Sequence, residues 1–210
     1  MPNPSIDKLR NSGDYELIAQ LSHTQIKEFV INQLMQNGRI IKIYMVYQIV
    51  MIMVGMFFFT RSIILAFQDS PSQLYYSLAA LIFCFSALIV IHELLHGIAL
   101  KLAGAKRVTY GGYLRKFIFY AEADQFVINR CQFAFIALTP LFAVKLITLI
   151  GIIFLFNQPV FYFLIFVMSA HSLFCAGDIG LLSVFYKIKN IEIFTFDVKA
   201  EKTSYFYRRI

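Results

Sequence analysis

The sequence predicts an all-α membrane protein of about four transmembrane helices, with a small β-hairpin between the second and third spans. Three observations carry this. Of the 210 residues, 59% are hydrophobic, and the mean hydropathy is +0.68, too apolar for an ordinary soluble domain. The apolar residues gather in runs long enough to cross the hydrocarbon of a bilayer. The largest connection between those runs, 104–130, carries alternating β-branched and aromatic residues around a Gly-Gly pair, the pattern of a hairpin.

Residues 1–42 form a polar N-terminal segment. Within it, Ser22-His23-Thr24-Gln25 has the capping-box pattern, in which the first and last side chains satisfy helix-end backbone groups. Ile26, Phe29, Val30 and Leu34 follow at helical spacing, so an amphipathic helix is expected there, ended by Asn37-Gly38. His23 reads as a surface residue near its start. Residues 43–186 form the four-span core. The first span runs from about Ile43 to Phe67 and the second from about Leu74 to Ala103, joined by the turn Gln68-Asp69-Ser70-Pro71-Ser72. In the connection that follows, Val108-Thr109-Tyr110 and Phe117-Ile118-Phe119-Tyr120 flank Gly111-Gly112, which reads as the hairpin turn. The third span, about Cys131 to Phe156, is interrupted by Thr139-Pro140 and holds Lys145. The fourth, about Val160 to Tyr186, contains His171 and Asp178. Residues 187–210 read as a basic, aromatic tail.

The formal net charge of +7 does not point to nucleic acid, because the Lys and Arg residues flank apolar segments. The N-terminal segment, the loop after the second span and the tail are basic, whereas the turns at 68–73 and 157–159 hold no Lys or Arg. Four spans with both termini in the cytoplasm satisfy the positive-inside rule at every loop. The first forty residues are polar, so no cleavable secretory signal is expected. Cys84, Cys131 and Cys175 are odd in number and widely spaced. They predict neither a disulfide framework nor a C-x-x-C metal site, and read as small buried hydrophobes.

The chemistry gathers at His92-Glu93-Leu94-Leu95-His96, at the end of the uncharged run Leu74 to Ile91. Two imidazoles four residues apart on a helix point the same way, one turn apart. That H-E-x-x-H spacing lets both bind one Zn²⁺, with Glu93 beside it as general base. Chance alone would place the motif in a chain of this composition roughly once in five hundred. Ionisable groups inside a membrane helix are costly and mark function; here three fall within five positions.

A catalytic zinc takes a third protein ligand and a water. Glu122, Asp124, His171 and Asp178 are the candidates. Counted from the outer ends of their spans, His92 and Asp178 each lie about 18 residues in, about 27 Å down at ~1.5 Å per residue. Both reach the inner edge of the hydrocarbon. Asp178 is therefore the favoured third ligand, a salt bridge to Lys145 or a loop arginine being the alternative. His171 lies about 10 Å higher along the axis, outside the ligand set unless the helix breaks. It is placed as a catalytic auxiliary that orients a ligand or binds the developing oxyanion. Glu122 and Asp124 stay open as loop-borne ligands. Lys145 is expected to pair with an acid or face a water-filled cavity.

With H-E-L-L-H-G at 92–97, Tyr120-Ala121-Glu122-Ala123-Asp124-Gln125-Phe126, Thr139-Pro140, Gly177-Asp178 and Asp197 in that order, the chain resembles the putative zincin peptidase family of small bacterial membrane proteins, from about residue 40 onward. The layout is similar, more distantly, to site-2 intramembrane metalloproteases, with Thr139-Pro140 in place of their Asn-Pro and Gly177-Asp178 reversing their Asp-Gly. The resemblance implies His92, His96 and Asp178 as zinc ligands, Glu93 as base, and a bacterial cell membrane as the location. The expected activity is zinc-dependent hydrolysis of a peptide or membrane-protein substrate in the lipid bilayer, near the cytoplasmic face. The rival reading is a metal-binding membrane protein without hydrolytic activity: a metal or proton carrier, or a regulatory partner with a relic site.

Overall fold

The computed structural model describes residues 3–22, 25–35, 38–113, 118–187 and 191–210. The chain is mostly helical with some antiparallel strands. It divides into two compact units, one comprising 1–41, 93–139 and 177–210, the other 42–92 and 140–176.

The second of these units is helical. It holds most of α3 (Arg39–Ala66), all of α4 (Ser72–Cys84), the start of α5 (Ala87–Leu102), the later part of α6 (Arg130–Phe154), and α7 (Val160–Phe174). Among the described residues, α3 and α6 are each long and apolar enough to cross a membrane. Two further spans result if α4 with α5, and α7 with α8 (Ala176–Lys187), each count as one. These pairs are bent, by 50° and 45°; a break in the fourth span is the case the sequence leaves open, whereas none is expected in the second. A side-chain oxygen or sulfur bonds back to its own helix at each break. Ser86 Oγ donates back to the Ile82 carbonyl at 2.7 Å, and Cys175 Sγ to that of His171 at 3.5 Å; such back-bonding to residue i−4 bends helices. Aromatic side chains fill the core, with Phe58 edge-on to Phe161 and Tyr162. A Cβ on Gly55 would meet Ser169 Cβ at 2.9 Å, so this glycine lets α3 and α7 approach closely. Met53, Met56 and Phe57 on α3, and Phe142, Leu146 and Ile150 on α6, are exposed. Large apolar side chains in such numbers outside the core fit contact with lipid.

The other unit corrects the all-α expectation. α1 (Ile6–Asn11) precedes the strand β1 (Tyr15–Ser22). Among the described residues, β1 joins β4 (Ile128–Asn129), β5 (Ile193–Val198) and β6 (Thr203–Arg209) in an antiparallel sheet of order β1-β6-β5-β4. The basic tail is thus two strands. Leu9, Val127, Phe194, Phe196, Val198 and Tyr207 pack one core, and Leu21, Val184, Phe185, Ile193 and Phe206 another. α2 (Ile26–Met35) lies where the helical spacing predicts it. Gln25 Oε1 accepts from the Ser22 backbone N–H at 3.4 Å, the return half of the capping box, and from Ser22 Oγ at 3.0 Å. His23 and Asn37 lie outside the described residues.

The hairpin is present as β2 (Thr109–Tyr113) and β3 (Ile118–Glu122), but Gly111-Gly112 is not its turn. Both glycines sit within β2, opposite Tyr120 and Phe119. The connecting 114–117, including Arg115 and Lys116, lies outside the described residues. Gly111 serves close packing instead: a Cβ there would meet the Tyr120 ring at 2.5 Å.

Candidate metal centre

Helix α5 carries the H-E-x-x-H residues. Along it Ile91, Leu94, Ile98 and Leu102 are exposed while His92 and His96 are buried at 6% and 9%. The imidazoles therefore share the face turned away from the apolar exterior, as spacing i, i+4 requires. Glu93, between the two faces, is partly exposed.

His96 is held from both sides. Its Nδ1 is 3.0 Å from the Ile136 carbonyl oxygen. A carbonyl only accepts, so Nδ1 carries the proton, and Nε2 of the neutral ring bears the lone pair. Nε2 lies 3.2 Å from Asp178 Oδ1. Two lone-pair atoms at that distance need a proton or a cation between them. Zinc bonds of about 2.0–2.2 Å at tetrahedral angles put neighbouring ligand atoms about 3.3 Å apart. The pair thus fits two ligands of one zinc ion, each with the donor chemistry the metal prefers, and with the backbone partner that ligating histidines take on their other nitrogen.

The Ile136 carbonyl is available because of Pro140. In α6 the N–H four residues on would normally bond that oxygen, and proline has none. Thr139 Oγ1 donates to the neighbouring Phe135 carbonyl at 2.6 Å. The Thr139-Pro140 pair thus has its physical consequence at His96. α6 itself runs through Pro140 without a break.

In the helical unit, His92 Nδ1 lies 3.1 Å from His171 Nε2, with the rings tilted at 58°. His171 is fully buried, and Cys175 Sγ lies 3.8 Å from its Nδ1. His171 was expected about two turns from the chemistry; the break after Phe174 removes the straight-helix premise of that count. Sequence alone reads Cys175 as a plain hydrophobe. Its i, i+4 spacing from His171, the same as within H-E-x-x-H, is the signal that could have singled it out. Cys84 is buried as expected, whereas Cys131 is exposed.

The remaining candidates are engaged elsewhere. Glu122 is 5% exposed and accepts from Thr109 Oγ1 at 3.2 Å across the hairpin. Asp124 Oδ1 accepts from the Lys199 backbone N–H at 2.8 Å. Among the described residues neither belongs to a group close enough to share an ion. Lys145 donates to the Met168 carbonyl and lies 5.4 Å from the centre of the Tyr47 ring, so its charge is met by backbone and aromatic groups.

Gly97, next to His96, is occupied space. A Cβ there would lie 1.9 Å from the Tyr110 hydroxyl of β2. Gly97→Ala is expected to cost about 1–3 kcal/mol through overpacking. In a Tyr110→Ala background the same change should stabilise by up to about 1 kcal/mol, since alanine is the better helix former. Denaturation midpoints of the four proteins in detergent check the reversal of sign.

No curated protein and no solved structure is detectably similar to the chain. A family model does match it, over residues 85–192, more than half of its length and a stretch that takes in H-E-x-x-H, the hairpin, Pro140, His171 and Asp178. The chain belongs to the putative zincin peptidase family.

Proposed function

We propose that the chain is a membrane-embedded zinc metallopeptidase in which His92, His96 and Asp178 hold the metal, and which cleaves peptide bonds of membrane-associated substrates near the cytoplasmic face. The observation that carries this reading is His96, its Nδ1 committed to the Ile136 carbonyl and its Nε2 aimed at the Asp178 carboxylate 3.2 Å away. Family membership and the H-E-x-x-H spacing support the same chemistry.

Bound there, zinc would acidify a water and polarise the scissile carbonyl. The chain's own groups do the rest. Glu93, on the same helix and partly exposed, takes the proton of the attacking water and returns it to the leaving amine. His171 is a positioning residue. When His92 Nδ1–H donates to His171 Nε2, His92 Nε2 keeps the lone pair that a metal needs. His171 then carries its proton on Nδ1, facing Cys175 Sγ. The exposed apolar surfaces of α3 and α6 face lipid, and the basic loops keep both termini cytoplasmic across four spans.

The test compares membrane proteins from cells carrying the natural chain with those carrying Glu93→Gln. A fragment seen only with the natural chain, at equal zinc content of the two purified proteins, is the expected result. Equal fragment patterns would overturn the peptidase reading and favour a carrier or a relic site.

A further inference from the structure

We propose that His92, His171 and Cys175 form a second cation site, soft where the first is hard, which shares His92 with the catalytic set and lets excess metal ion switch the enzyme off. The sharing rests on the reading above; the site itself rests on geometry within the helical unit.

The three donor atoms lie within 4.8 Å of one another. His92 Nδ1 and His171 Nε2 are 3.1 Å apart, and Cys175 Sγ is 4.0 Å from the latter. Bond lengths of about 2.0 Å for nitrogen and 2.3 Å for sulfur place tetrahedral neighbours about 3.3 and 3.5 Å apart. The nitrogen pair is already at coordination spacing, and a rotation of the Cys175 side chain toward it closes the set. All three residues are buried, at 6%, 0% and 0% exposure. His171 sits in the last turn of α7 and Cys175 caps that helix, so the break at Cys175 presents thiol and imidazole one turn apart. No mechanistic step above uses the thiol.

The donor set decides what it binds. Thiolate with two imidazoles favours zinc, cadmium and copper(I); the carboxylate of the first set makes that one harder. Binding releases the thiol proton, now directed at the His171 carbonyl, and the proton between the two rings passes from Nδ1 to Nε2 of His92. It also takes His92 through Nδ1. A neutral imidazole then carries its proton on Nε2 and cannot serve the first ion. The two ions compete for one ring, so the second equivalent inhibits.

Cobalt(II) titration of the purified full-length protein in detergent reads this directly, because thiolate-to-cobalt charge transfer absorbs in the near ultraviolet and carboxylate or imidazole ligation does not. The natural chain should bind a first equivalent without that band and gain it with further cobalt. Cys175→Ser should lose the band completely, keep the first equivalent, and resist inhibition by excess zinc. Asp178→Asn should lose the first equivalent and keep the band, which tests the site even if Cys175→Ser fails to fold. One equivalent with no band overturns this inference and leaves the peptidase reading standing. A band that persists in Cys175→Ser assigns the thiolate to Cys84 or Cys131 and also overturns it. No cobalt bound at all overturns both.

Discussion

Asp178→Asn is expected to empty the metal centre while leaving the protein folded. Asparagine keeps the shape of the side chain and removes its charge. The loss should exceed the roughly 10–100-fold in affinity that removal of an outer hydrogen-bond partner costs, because in the proposed set Asp178 is a direct ligand. Its place in the fold explains why little else should change. Asp178 lies in the first turn of α8, partly exposed, with its carboxyl against His96. Next to it Gly180 lets Val30 of α2 approach to 2.8 Å of a would-be Cβ, a contact the substitution does not touch. Zinc per mole of protein purified in a Cys175→Ser background, which removes the second site, with the thermal midpoint in excess zinc and in chelator, checks both halves. Asparagine that retained full zinc would make the His96–Asp178 contact a plain ion pair. Glu93→Gln separates the two roles, since it should keep the metal.

That a carboxylate on the fourth apolar run meets the H-E-x-x-H helix was legible from counting. His92 and Asp178 lie equally far along their runs, and the Asp178 carboxyl is 3.2 Å from His96. The histidine pair was legible because i, i+4 geometry is local. What escaped were consequences of non-local or backbone chemistry. The sheet pairs β1 with β6 across nearly the whole chain, Tyr15 opposite Arg209, with a register shift between Leu17 and Ala19. β5 is buried on both faces over Ile193–Phe196, so it shows no alternation for a period-two search to find. The Gly-Gly pair looked like a turn because glycine's freedom and its lack of a side chain leave the same letter in the sequence. The bends fall where Ser86 and Cys175 bond back to their own helices. Neither residue breaks helices by propensity alone. The Ile136 carbonyl has no letter of its own; only a proline four residues later betrays it.

Pro140→Ala tests that last point through two readouts of opposite sign. Proline inside a helix costs up to about 3 kcal/mol relative to alanine, less where neighbours satisfy the freed carbonyl. Here a neighbour does so: the Ile136 oxygen accepts from His96 Nδ1 at 3.0 Å. Alanine at 140 brings an N–H back to that oxygen. Helix α6 should then gain stability, read as a higher midpoint of unfolding for the metal-free protein. His96 meanwhile loses sole claim to its anchor. The oxygen has two lone pairs, so the bond weakens without being abolished, and zinc affinity should fall toward the lower end of the 10–100-fold range for outer partners. A protein more stable without zinc and poorer at holding it would show that α6 gives up a backbone hydrogen bond to fix one imidazole. A stability gain with unchanged zinc affinity would leave Pro140 a matter of helix shape alone. A fall in both would mean that proline's fixed backbone geometry, and not the missing N–H, is what His96 depends on.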